Sequence, residues 1–523
     1  MMFENPGGTT MLRKSLASGV LAVAALLTLS SCAGTGGGTL ESGGGNAPTK
    51  ITVAAAQGIP QLNPAIRTFA WEEVLFPLLW NGLTTTTESG EVAGDLAESW
   101  EASADQKTWT FTLKDGVTFS NGKALTAADV VASFEYYLDP ETSTQEKTKI
   151  ESVTQVTATD ERTVTFTLDA PTATFPAGIV WVKVLDVDSL DQIDKNPIGT
   201  GPYTVSAFTP DSSVTLVRNE AYFGEAPELD TITIEKAAES TAAVTGLRSG
   251  DIDVLWSVPQ GDVAQFEGDA AVALVRPDNP SQWPSWEMDT TSAPFNDVRA
   301  RQALAYAVDR EAVLEAAYAD QGMVSPTNNA ISENNPWFGG ELNDYSYDLK
   351  KAKALFAEAG VTEGDTLNWW GVAGQYPEWN TSAEILQASL KEIGITLKIE
   401  NNDIGTWVEK FYPAGKSYPG TIVPNFQSTP PEPAYSLNFY LEGRCECNWV
   451  NDDFAAAFDA AVGEPDEAER ATKWGEVQSI INQEVPLIVP IQATVVTATD
   501  SALGGVWVEG GGQLHLENAS FKG

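Results

Sequence analysis

Residues 364–399 read GDTLNWWGVAGQYPEWNTSAEILQASLKEIGITLKI, and the order of patterns in this stretch decides the fold class. Gly364 to Gly371, carrying Trp369 and Trp370, reads as a strand. Thr381 with Glu384 reads as a capping box, in which hydroxyl and carboxylate each satisfy an orphaned backbone N–H at a helix start. That helix stops at Gly394, and Ile395-Thr396-Leu397-Lys398-Ile399 follows as a second strand. Strand, helix, strand in this order requires a crossover, so the two strands are expected to pair in parallel with a right-handed connection. This is the unit of an α/β fold.

Outward from this unit the mixture continues. Ile51 to Ala56 reads as a buried first strand, ended by Gly58 and Pro60. Residues 108–113 (TWTFTL) alternate strictly, as a half-buried strand does. Residues 153–158 and 163–168 alternate again across Thr159-Asp160-Glu161-Arg162 and predict a hairpin. Thr126 with Asp129 is a capping-box variant. Asn296 precedes an expected helix from Asp297 to Ala319, and Asp348 caps another from Leu349 to Ala359, with Gly360 at its C′ position. Trp100 and Trp109, in alternating strands, are expected in the core.

Length and charge narrow the function. At roughly 150 residues per domain, 523 residues suggest about three domains or lobes. Lys and Arg number 30 against 72 Asp and Glu, a net charge of -42. Nucleic acid is excluded as a partner, since affinity for it rests on neutralising phosphates. An anionic membrane repels such a surface as well. The one histidine, His515, lies in a Gly-rich tail that the pattern places at an edge, which removes most histidine-based catalysis and metal binding. No nucleophile elbow, phosphate loop or dinucleotide fingerprint is present. No enzyme activity, cofactor or metal is expected.

The N-terminus reads as a processing signal. Arg13 and Lys14 precede an apolar run from Leu16 to Leu29, too short to span a membrane comfortably. Leu29-Ser30-Ser31-Cys32 resembles a bacterial lipobox, in which the cysteine is acylated; the alternative is an ordinary cleavage site with a chance cysteine. Residues 1–31 are then the lipoprotein signal and 32–47 a Gly/Ser-rich tether, with Met11 fitting a start better than Met1. Cys445 and Cys447 remain, and outside the cytoplasm they are expected to pair.

Of the sixteen tryptophans, seven lie between 283 and 407: Trp283, Trp286, Trp337, Trp369, Trp370, Trp379 and Trp407. Trp369, Trp370 and Trp379 fall at a strand end and in the loop after it, where open α/β folds bind ligands. Core packing and a ligand platform both stay open for them.

A family resemblance rests on ordered segments: Leu62-Asn63-Pro64; residues 96–131; PIGTGPY at 197–203; RNEAYF at 218–223; GDID at 250–253; PFNDVRARQAL at 294–304; Tyr347-Asp348 with Lys351-Ala352-Lys353; and Pro486-Leu487-Ile488. Together they resemble the extracytoplasmic solute-binding proteins of family 5, the oligopeptide and dipeptide class that serves ABC importers. The resemblance implies a periplasmic-binding-protein-like α/β fold (type II), two lobes with a hinge plus an extra α+β domain. Its borders would place lobe I at 48–82, 196–285 and 489–523, the extra domain at 83–195, and lobe II at 286–488. It further implies a monomer on the outer face of the cell membrane, held by its lipid alone. Its partners would be a small solute, peptide or oligosaccharide, and permease subunits with their ATPases.

The candidate ligand-binding residues are Thr68, Phe69, Trp71, Trp283, Trp286, Trp369, Trp370, Trp379, Trp407, Phe426, Gln427, Ser428 and Thr429. Peptide binders of the class typically carry Trp-x-Ala-Asp-Tyr-x-Asp/Glu-Pro, whose first Asp pairs with the peptide amine. Here the matching stretch is Phe426-Gln427-Ser428-Thr429-Pro430-Pro431-Glu432-Pro433, with Phe426 for the Trp and Thr429 for the Asp. A neutral hydroxyl does not offset the desolvation of an ammonium as a carboxylate does. An oligosaccharide, a capped peptide or another uncharged solute therefore competes with a free peptide. If an amine anchor exists, Glu432 and Glu378 are the candidates. The nickel-binding branch is disfavoured, because the cleft-forming segments hold no histidine.

Overall fold

The computed structural model describes residues 48–522 apart from 67–69, 143, 145, 238–239, 278, 281, 375, 413–414, 429–431 and 511. Cys32, the signal and the tether lie outside the described residues, as do Thr68, Phe69 and Thr429.

Short β-branched runs build two large mixed sheets. In the first, the order is Val272–Val275, Thr497–Asp500, Val254–Leu255, Lys50–Ala55, Thr231–Lys236, Ser213–Arg218 and Tyr203–Thr209. Lys50–Ala55 at its centre pairs in parallel with both neighbours. The second sheet runs Gly322–Val324, Ile491–Ala493, Gln282–Met288, Thr421–Ser428, Thr366–Val372 and Thr396–Asn402. Thr366–Val372 and Thr396–Asn402 pair in parallel, as the opening stretch of sequence predicts.

The chain changes sheet in residues 276–281 and again in 494–496. The borders expected at 285/286 and 488/489 need correction here, because ladder hydrogen bonds carry both flanking strands into the second sheet. Gln282–Met288 pairs along its full length with Thr421–Ser428, and Ile491–Ala493 pairs with Gly322–Val324.

Between 83 and 195, an antiparallel sheet of Ala97–Ala102, Thr108–Leu113, Thr163–Leu168 and Val153–Ala158 packs under the helix Ala127–Leu138. Trp109, Phe111 and Leu113 point inward from the alternating strand and are buried. Phe166 meets Phe111 edge-on at 5.5 Å and Phe134 at 4.7 Å. These residues share one continuous apolar core with Ile51, Val53, Leu216 and Ile232 of the first sheet. Burying each such side chain contributes about 1.5–3 kcal/mol, so the extra domain and the first sheet hold together as one body. The second sheet has separate cores, one against the helices Val298–Ala307 and Pro377–Glu392, another under the 437–449 segment.

Local differences from the sequence expectation have local causes. The single helix expected over 297–319 is two, Val298–Ala307 and Arg310–Tyr318. Asp309 caps the second by accepting from the Ala312 N–H, and an N-cap residue takes non-helical geometry. Similarly, the helix expected to open at Thr381 opens at Pro377, whose fixed φ suits the first helical position. Thr381 Oγ1 there donates to the Pro377 carbonyl at 3.1 Å instead of capping. The Thr126/Asp129 capping box is present as expected.

Candidate functional site

The earlier helix start carries Trp379 out of the expected loop and into the first helical turn. There it stacks on Tyr376 with ring centroids 4.2 Å apart. Trp407, on the helix Ile404–Phe411, lies 5.8 Å from Trp379 and donates from Nε1 to the Trp370 carbonyl at 3.2 Å. Trp370 lies partly buried under the Lys410 ammonium, 5.0 Å away. Phe426, on the strand Thr421–Ser428, completes the group against Tyr376 and Trp379. Phe426 is 40 % exposed, while Trp379 and Trp407 beneath it are 3 % and 4 %. The result is an aromatic bed with one open ring, at the carboxyl ends of the two parallel strands where α/β sheets bind ligands.

Five of the candidate tryptophans do not present an open ring, and Trp379, 3 % exposed under Phe426, is one of them. Trp283 is fully buried and stacks on Tyr440. Trp286 and Trp369 meet edge-on at 5.2 Å inside the second-sheet core. Trp407 reaches the bed only as its floor. Alternation explains the division: Trp369 and Trp370 are neighbours on one strand, so their side chains leave by opposite faces. Gln427 is half-buried next to Phe426; Trp71 belongs to the short helix Ala70–Leu75, and Ser428 ends its strand.

Behind the aromatic bed lies a pair of buried acids that residue patterns did not single out. Asn425, adjacent to Phe426, donates from Nδ2 to the Tyr412 hydroxyl at 2.9 Å and to Glu287 Oε1 at 3.1 Å. Ser285 Oγ also donates to Glu287 at 3.3 Å. Burial, then the neighbouring Glu446 charge, push the Glu287 carboxyl well above the ordinary range; burial pushes Glu446 up to about 7. The sulfurs of Cys445 and Cys447 are joined around Glu446, with Cα atoms 5.0 Å apart. Asp289 behaves oppositely. Burial would raise it, yet hydrogen bonds from Ser292, Thr291, Asn448 and Ser417 bring it down to about 2.

His515 is not at an edge. It is 4 % exposed and lies flat on Trp507, ring centroids 3.6 Å apart. Glu517 Oε1 is 2.8 Å from Nδ1, and Glu509 Oε2 lies 3.7 Å from Nε2. Burial alone would lower the imidazole, but the two carboxylates carry it up to about 9. The buried Lys183 and the partly buried Asp95 line the same small cavity as His515, Glu509 and Glu517, where the extra domain meets the C-terminal tail. Among the described residues no group of three or more His, Cys, Asp and Glu is arranged to hold a metal. Among them, too, no helix is long and apolar enough to cross a membrane.

Comparison with known proteins agrees with this architecture. The dipeptide-binding protein of Escherichia coli is 26 % identical over 515 residues, covering 90 % of this chain and 95 % of its own. Heme-binding protein A of Haemophilus influenzae is 28 % identical over 436 residues, covering 76 % and 79 %. The crystal structure of a Pseudoalteromonas dipeptide-binding protein in complex with Met-Leu superposes with a TM-score of 0.79 at 21 % identity, covering 90 % of this chain and all of that one. The relatives are binding proteins of transport systems and not enzymes. Residues 91–444 match the family model "Bacterial extracellular solute-binding proteins, family 5 Middle", and the chain belongs to that family.

Proposed function

We propose that the chain is the substrate-binding component of an ABC importer, lipid-anchored through Cys32 outside the cytoplasm. It captures peptide-like solutes between its two lobes and delivers them to the permease. The observation that carries the binding role is the open Phe426 ring over the Tyr376–Trp379 stack, at the strand ends of a two-lobed family 5 chain. The names of its relatives, two of them dipeptide-binding proteins, support a peptide as the solute. A ligand drives closure only to the extent that it binds the closed form better than the open one.

A second reading keeps the transport role with a neutral solute such as an oligosaccharide. It draws on the bed itself, whose rings (Trp370, Tyr376, Trp379, Trp407 and Phe426) pack against one another as an aromatic platform. Native mass spectrometry of the purified mature chain, looking for carried-over ligand, separates the two readings. A true ligand should raise the melting temperature in line with RT ln(1 + [L]/Kd), about 2.7 kcal/mol at a hundredfold excess over Kd. Phe426→Ala should weaken it at least tenfold while leaving the fold intact, since the ring is open. Unchanged affinity would remove the aromatic bed from the binding site. Cys32→Ser should abolish acyl labelling; continued labelling would overturn the anchor.

A further inference from the structure

The extra domain and the opposing lobe belong to different bodies. The extra domain shares its apolar core with the first sheet, and the second sheet has cores of its own. The two nevertheless touch, along a seam that includes none of the rings of the aromatic bed. The Ala173 N–H donates to the Val462 carbonyl at 2.8 Å, and Arg444 pairs with Glu151. Gly463 lies so near Pro171 that a Cβ there would come within 3.3 Å of it. At Gly178 there is no room for a side chain, because a Cβ would overlap the Tyr435 hydroxyl.

Each partner is anchored in its own body. Glu151 directly follows the short helix Lys147–Ile150, whose Ile150 is buried in the core of the extra domain. Gly178 ends the helix Phe175–Gly178, held in the same core by Phe175. On the other side, Arg444 precedes Cys445, and the bond from Cys445 to Cys447 fixes the loop that carries the guanidinium. Tyr435 sits on the helix Pro433–Leu437, pinned by the buried Leu437. A cavity of about 360 Å³ runs along the seam, lined by Lys149 and Pro171 on one side and by Tyr435, Arg444 and Asp459 on the other. The bodies therefore meet at separate points and not through a packed core. A partly exposed ion pair and one hydrogen bond are each weak, so such contacts can break without unfolding either body.

We propose that this seam is a latch, in which Arg444 and Glu151, the Ala173–Val462 hydrogen bond and the seat of Tyr435 on Gly178 hold the extra domain against the opposing lobe and set the balance between open and closed chain. A solute favours closure only by its preference for the closed form, and the latch adds a share that needs no solute. Apparent affinity is the closed-form affinity reduced by the fraction of chain that is closed, so the latch acts on every ligand alike and selects none. It rests on the two-lobed fold, whether the solute is a peptide or a neutral molecule.

Hydrogen exchange read by mass spectrometry, with small-angle X-ray scattering, tests the latch on the purified mature chain with no solute added. Glu151→Arg and Arg444→Glu each place like charges across the seam. Each should speed exchange in the peptide that carries Ala173 by about fivefold or more and enlarge the radius of gyration. The double variant restores an opposite pair and should return both readouts to wild-type values. Gly178→Leu, whose side chain must displace Tyr435, should open the seam further than either charge reversal. Exchange in the strands Thr108–Leu113 and Thr163–Leu168, inside the extra domain, should stay as in the wild type, which separates an opened seam from a damaged fold. Should Gly178→Leu disturb those strands, the charge reversals and their mutual rescue decide the matter. Unchanged exchange at Ala173 in both charge reversals would overturn the latch. So would faster exchange with an unchanged radius of gyration, which is local fraying, or a double variant no closer to the wild type than its parents.

Discussion

At the joint of the extra domain and the C-terminal tail, Asp95, Glu509 and Glu517 line one small cavity with the buried Lys183 and His515. In the opposing lobe, Glu287 is acted on by Glu446, Asn425 and Ser285, none of them cationic. The two clusters meet the cost of burying charge in opposite ways. In the first, cations and anions compensate one another: burial works against the ionised forms of both His515 and Glu517, but their pairing carries the imidazole up and holds the carboxyl below its usual value. In the second, no cation is among the groups acting on Glu287, and burial pushes both carboxyls up, Glu446 to about 7. A mixed cluster fixes charge in place; a like-charged pair leaves it to the solvent pH.

Removing one cation from the mixed cluster should have the largest effect. Lys183 is buried, donates from Nζ to the Val180 carbonyl at 2.9 Å, and pulls down the Asp95 carboxyl, which burial still leaves raised to about 6. Lys183→Met leaves buried carboxylates uncompensated, and breaking a buried charge arrangement from one side costs about 3–5 kcal/mol. Chemical denaturation at pH 8 should show this loss, and at pH 5 a smaller one, because Asp95 can then protonate. An equal loss at both pH values would mean that packing, not charge, dominates.

The pH dependence of the whole chain comes next in size. A carboxyl whose folded pKa is raised removes stability as pH climbs from its unfolded to its folded value. Asp95 does so up to about 6, and Glu446 and Glu432 up to about 7. His515, raised from 6.5 to about 9, contributes stability that is complete below 6.5 and lost as pH rises through 9. All four act in the same direction. The melting temperature should therefore be several degrees higher at pH 5.5 than at pH 8.5, and a maximum on the alkaline side would contradict these assignments.

What could be read from the sequence follows from what has a period. The parallel unit at 364–399 and the hairpin at 153–168 are set by local alternation and capping, and both are present in the structure. Asp309 ends a helix that Ala-rich composition continues, because a cap acts through a single side chain. Buried charge has no period. His515 sits among Gly residues, and nothing adjacent in the chain shows that Trp507 and Glu509 fold back over it. Glu287 meets Glu446 across 159 residues, so no motif could announce the pair. The tryptophans are intermediate: strand alternation separates Trp369 from Trp370, but only the helix start at Pro377 decides that Trp379 stacks on Tyr376.

Glu287→Gln sharpens the contrast through the smallest effect. Burial and the neighbouring Glu446 push the Glu287 carboxyl well above its ordinary range, and if that keeps it protonated at neutral pH it is close in shape and polarity to an amide. Ser285 Oγ and Asn425 Nδ2 both donate to Oε1, and a glutamine oxygen can accept both bonds. The substitution should therefore cost less than about 1 kcal/mol at pH 7, against about 3–5 for Lys183→Met. Its signature lies in the slope: the raised pKa of Glu287 leaves the titration, and Glu446 loses its coupled neighbour. Stability should fall less steeply between pH 6 and 9 in the variant than in the wild type, measured as midpoints of denaturant unfolding across that range. A cost of several kcal/mol at pH 7 would show that Glu287 is ionised in the folded chain. The opposing lobe would then need a cation for it, and the two clusters would no longer differ in kind.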